Sequence, residues 1–265
     1  MNILSLIDLL PQWLFVLMYP IPPLLLLWVI HRMFQRYAPH WKLEDRDENM
    51  AAGGIASAAA LTGIVLAFVL ALANQTIDNY QSEVSVEASQ IRNLDTLLVA
   101  THGDSVEDCR KKLLDYTKSI VNDEWTQLTA QKGSPQTSKL LAKLDTCILS
   151  IDRQTQIKAA MYLEVVKLSS QITQSRESRI SNSQSSLPPL FWFVMHLGLL
   201  LTIVLSALSF YTPGKIRVIN CSIQIITLCI LMALILILDH PFSGSNGISN
   251  QPIKDLISHL ETKPL

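Results

Sequence analysis

Two groups of residues in this sequence have the type and spacing to do chemistry. The first is a set of charges on helix faces that should be apolar. From Ile77 the apolar residues run Ile77, Tyr80, Val84, Ile91, Leu94 and Leu98 in the three-four spacing of one helix face, and Glu87 interrupts that face. Much further along, Val165, Leu168 and Ile172 set a similar seam, on which Arg179 falls. Glu87 lies 14 residues beyond Ala73 and Arg176 lies 14 before Leu190, so antiparallel helices leaving two charge-free runs would bring them level. Two readings stay open, a pair between Glu87 and Arg176 or Arg179, or two separately solvated charges. Such a pair contributes little when exposed and is costly to break when buried.

The second group is Leu238-Asp239-His240-Pro241-Phe242-Ser243-Gly244. A carboxylate at the C-terminal end of a helix opposes the helix dipole, so Asp239 needs compensation from turn amides, from His240 or from a cation. Pro241 and Gly244 make a sharp stop there. Asp239 either accepts the backbone donors of its own turn or attracts ions at a membrane boundary.

Other chemistries lack their residues. The only adjacent glycines, Gly53-Gly54, open an apolar helix rather than a phosphate loop, and neither His-Glu-x-x-His nor Cys-x-x-Cys occurs. The histidines, His31, His40, His102, His196, His240 and His259, are scattered. We expect no catalytic residue, no metal site and no cofactor, and read the chain as not an enzyme. A net charge of −1 without a basic cluster argues against nucleic acid as a partner.

The elements that must position these residues are set by where the charges fall. Runs 13–30, 51–73, 190–211 and 218–238 carry no Asp, Glu, Lys or Arg, so all 21 basic and 22 acidic residues of the 265 lie elsewhere. Each run can cross a hydrocarbon core of about 30 Å at about 1.5 Å per residue. The expected fold is all-α: four transmembrane helices with a long, coiled-coil-like helical domain between spans 2 and 3. The segments are 1–50, holding the first span (about 13–33) and a basic loop; 51–73, the second span; 74–189, the extramembrane helical domain; 190–238, spans three and four; and 239–265, a turn and a short amphipathic helix. Pro20, Pro22 and Pro23 should bend the first span. In the second, Ala52, Ala56, Ala60, Gly63, Ala67 and Ala71 lay down a stripe of small side chains. Such a stripe either packs closely on another helix or faces a pore, with Ser57 and Thr62 supplying hydroxyls.

Arg32, Arg36, Lys42 and Arg46 lie between the first two runs, and Lys215 and Arg217 between the last two. The positive-inside tendency puts both connections in the cytoplasm of a bacterial inner-membrane protein, with the central domain and both termini outside it. In the central segment the turn falls at Gly133-Ser134-Pro135, and a seam from Leu140 through Leu144, Cys147, Ile151, Met161 and Val165 to Ile172 predicts one long helix. A hairpin reversing near Ser134 would stagger Cys109 and Cys147 by roughly 12 residues, about 18 Å. A disulfide needs Cα atoms within about 7 Å, so none is expected. Ile253, Leu256, Ile257 and Leu260 predict a short amphipathic helix, lying on the membrane or docking on the helical domain.

A resemblance joins several of these residues. Gly63-Ile64-Val65-Leu66-Ala67-Phe68, Glu87-Ala88-Ser89, Tyr116, Glu124-Trp125, Arg176, Arg179 and the Asp239 to Gly244 ending resemble the bacterial membrane family called domain of unknown function 4239, or bestrophin-like. It implies a four-span membrane protein, distantly akin to oligomeric anion channels, with Asp239, His240, Pro241, Phe242, Gly244, Glu87, Glu124, Trp125, Arg176 and Arg179 as its motif residues. The Phe-rich neck of bestrophins has no equivalent in the second run, whose only aromatic residue is Phe68. Two functions stay open: a homo-oligomeric ion channel, and a non-catalytic structural or sensory module whose helical domain binds a protein partner.

Overall fold

The computed structural model describes residues 11–37, 45–101, 104–151, 156–184, 187–209, 215–242 and 247–262. Every regular element among them is helical: α1 (Gln12–Met18), α2 (Ile21–Tyr37), α3 (Asp45–Thr101), α4 (Asp104–Ser119), a π turn (Ile120–Glu124), α5 (Trp125–Leu128), α6 (Pro135–Leu149), α7 (Gln156–Asn182), α8 (Pro189–Ser209), α9 (Lys215–Leu238) and α10 (Gln251–Thr262). Among the described residues four stretches are long and apolar enough to cross a membrane: Gln12–Tyr37, Ala52–Ala100, Pro189–Ala207 and Val218–Leu238. The chain forms two compact units.

The first unit holds α1, α2, α3 as far as Gln75, α8 and α9. The first span is interrupted at its prolines, between Met18 and Ile21. α1 stops at Met18, and Pro22 and Pro23 fall in the first turn of α2, where a missing amide donor is harmless. Leu27, Leu66, Val69, Met195, Leu199, Ile203, Ile225 and Met232 make the core. Gly198 lets α8 approach α3 closely, since a Cβ there would stand 2.6 Å from the Thr62 hydroxyl oxygen.

The second unit holds α3 from Thr76, α4 to α7, His240–Phe242 and α10. Val84, Ile91, Leu94 and Leu98 of α3 pack with Leu113, Tyr116 and Ile120, with Leu144 and Ile148 of α6, and with Val165, Leu168 and Ile172 of α7. Ser134 caps α6 by accepting the Thr137 amide at 3.3 Å, with Pro135 in the first turn. Of the two placements expected for the C-terminal helix, docking is the one found. Ile253, Leu256 and Leu260 of α10 are buried in this core, and Lys118 pairs with Glu261 at 2.7 Å.

Two expectations are corrected here. The long seam helix is two helices, α6 ending at Leu149 and α7 starting at Gln156. Cys109 and Cys147 are joined by a disulfide, their Cα atoms 5.6 Å apart. The misplaced feature was the reversal. It takes up the whole stretch from the π turn to Ser134, so the Thr137 hydroxyl reaches the Ser119 carbonyl at 3.3 Å. Counting ten residues outward along each helix from that contact brings Cys109 level with Cys147. Residues 102–103 and the connection at 210–214 lie outside the described residues.

Candidate functional site

Glu87, Glu124, Arg176 and Arg179 meet inside the second unit, 1%, 0%, 9% and 3% exposed, at positions where the seams of α3 and α7 turn from apolar to charged. Arg179 donates Nε to Glu87 at 2.9 Å and Nη2 to both Glu87, at 3.1 Å, and Glu124, at 3.0 Å. Arg176 donates Nε to Glu124 at 2.9 Å, while its Nη2 also reaches the Ser138 hydroxyl at 2.9 Å. Glu124 further accepts the Ser134 amide at 3.3 Å. Glu87 thus pairs with Arg179, and Glu124 serves both arginines. Two carboxylates against two guanidiniums leave the box neutral, which is what makes burying four charges tolerable.

The backbone delivers Glu124 in an unusual way. It ends the π turn, closed by the Trp125 amide donating to the Ile120 carbonyl. Single π turns inside helices recur at functional positions. The next residue, Trp125, lies under the Arg179 guanidinium, 5.8 Å from ring centroid to Cζ, and meets Phe242 edge-on at 5.6 Å. Burial works against the Arg179 charge. The Glu87 carboxylate, with Tyr116 and Glu124 behind it, more than offsets this, so its pKa is held above the ordinary arginine value. Tyr116 is fully buried, and burial pushes its phenol well above the ordinary 10.0.

The box therefore gathers Glu87, Glu124, Trp125, Arg176, Arg179 and Phe242. Asp239 belongs to the first unit, where it is 2% exposed and accepts the Leu187 amide at 2.8 Å. Its carboxylate thereby ties the end of α9 to the entry of α8. Pro241 is buried and its carbonyl accepts the Ile248 amide at 2.7 Å, while His240 is half-buried. Gly244 lies outside the described residues. Sequence reasoning missed a second buried pair, Asp95 with Arg110 at 2.8 Å. Its signal was present, since each follows a seam residue, Leu94 and Cys109.

Among the described residues of one chain, no helix covers the small-residue stripe. Ala52, Ala56, Ala60, Ala67 and Ala71 are exposed, Gly63 is half-buried, and a Cβ on Gly63 would meet nothing within 4 Å. The buried side of α3 is Ile55, Thr62, Leu66, Val69 and Ala73, while Leu61, Ile64 and Phe68 are exposed as a third set. At about 100° per residue these sets occupy three sectors roughly a third of a turn apart. Thr62 faces Gly198, so of the two hydroxyl residues only Ser57 is exposed, its Oγ donating to the Gly53 carbonyl at 2.9 Å.

The sequence matches no curated protein. Solved structures share its fold. A bacterial bestrophin homologue from Klebsiella pneumoniae superposes with a TM-score of 0.66 at 11% identity, over 93% of this chain and 99% of that one. A structure described as a membrane protein gives 0.62 at 12% identity, over 92% and 97%. A second mutant form of the Klebsiella pneumoniae homologue gives 0.57 at 13% identity, again over 92% and 97%. The Bestrophin-like domain family matches residues 17–253, nearly the whole length, and this membrane protein belongs to that family.

Proposed function

We propose that the protein is a homo-oligomeric ion channel of the bacterial inner membrane that passes anions, with the small-residue face of α3 bordering the path. The three-sided division of α3 carries this reading. One side packs within the chain and one offers large apolar side chains suited to lipid. The third, Ala52 to Ala71, offers small ones that let another backbone come close or leave an open lumen. The bestrophin-like family and the related folds support an oligomer. The charge box and Asp239 serve as fixed clasps rather than as permeation sites, because their carboxylates are already engaged by guanidiniums and by a backbone amide.

The Cys109–Cys147 disulfide supports an oxidising, extracytoplasmic compartment for the helical unit. The basic connections at Arg32, Arg36, Lys215 and Arg217 argue the same way. Purified protein reconstituted into liposomes should release a halide load under an applied potential and run as an oligomer by mass. Absence of flux would favour the alternative, a membrane module acting through a protein partner.

A further inference from the structure

The charge box leaves one strong donor over. Arg179 spends Nε and Nη2 on carboxylates, yet its buried Nη1 has no hydrogen-bond partner among the described residues. A buried guanidinium N–H without an acceptor forfeits its hydration, and such groups in folded proteins are met by protein, by ordered water or by an ion. The structure supplies a space for one. A cavity of about 10 Å³ is lined by Arg179 together with Val84, Glu87, Ser175, Asn182 and Phe242. On one wall Asn182 donates to Glu83 at 2.7 Å. That volume suits a single water-sized particle.

We infer that one ordered water occupies this cavity, accepting from Arg179 Nη1 and donating to the Glu87 carboxylate. Ser175 provides a third partner, because its hydroxyl donates to Gln90 at 2.8 Å and keeps its lone pairs. Charge selects water over an ion. Glu83 and Glu87 both border the space, and the Arg179 charge is already shared between Glu87 and Glu124, so a halide would add an uncompensated negative charge. A metal cation would face the guanidinium. The water completes the hydrogen bonding of Arg179 and so holds its plane against both carboxylates. This holds whether or not the protein conducts ions.

The test is a diffraction structure of the full-length protein at about 2 Å, grown with bromide in place of chloride and measured at the bromine edge. The expected result is one peak at about 2.7–3.2 Å from Arg179 Nη1 without bromine signal. An empty cavity, or Nη1 bonded to a protein acceptor, would overturn the inference. A bromine signal there would overturn it in favour of a halide site.

Discussion

Glu124 is the residue on which the charge box depends most. It neutralises both arginines, whereas Glu87 faces Arg179 alone. Removing its charge leaves two guanidiniums buried against a single carboxylate, and breaking such a pair costs about 3–5 kcal/mol. Glu124→Gln should therefore lower unfolding stability by that order, and by more than Glu87→Gln, as measured by denaturant unfolding in detergent. Tyr116 acts differently. Its buried hydroxyl has no hydrogen-bond partner among the described residues, so Tyr116→Phe should be neutral or slightly stabilising at pH 7. Because the folded phenol titrates well above 10.0, the folded chain keeps a proton that the unfolded chain releases above about pH 10. Stability is thus whole below that pH and falls as pH rises beyond it. Tyr116→Phe should flatten that alkaline limb, and an unchanged limb would contradict the assignment. The sequence made Glu87 and Arg179 legible because each broke an apolar seam. Glu124 stood out only through family resemblance, since a π turn leaves no mark in the residue pattern.

At the scale of elements, the pattern of apolar residues marked the buried faces of the helices but neither the break between α6 and α7 nor how the helices pair. The Cys109–Cys147 bridge shows the reason. Periodicity fixes which face of α4 or α6 is buried, while their register depends on how much chain the reversal consumes, here the π turn, α5 and the residues up to Ser134. The bridge closes a loop across a sequence separation of 38. Chain entropy puts its value at about 3–4 kcal/mol. Replacing both cysteines by serine should cost that much in equilibrium unfolding, and adding reductant to the wild type should cost the same; no effect of either would mean that the α4–α6 register holds without it. In the first unit, Gly198 has the corresponding role. Gly198→Val would drive a branched side chain into Thr62 and part α3 from α8. A loss of about 1–3 kcal/mol is expected, and Thr62→Ala should recover part of it.

For the whole molecule, four charge-free runs were enough to reveal the four membrane spans. They could not reveal that α3 keeps a small-residue side outward, because Ala and Gly at four-residue spacing read alike whether a helix of the same chain covers them or not. That outward side is where the proposed assembly is most exposed to test. Maleimide applied to intact spheroplasts should label a cysteine placed at Lys132, in the second unit, if that unit is extracytoplasmic; labelling only after lysis would reverse the orientation. The most direct measurement of the central claim is halide efflux from liposomes containing the purified protein, taken side by side with Ala60→Trp, which enlarges the outward face of α3 without touching its buried one. The account predicts voltage-driven efflux from an oligomeric wild type and a changed rate in the variant. No efflux at any potential from a protein that is monomeric by mass would contradict it.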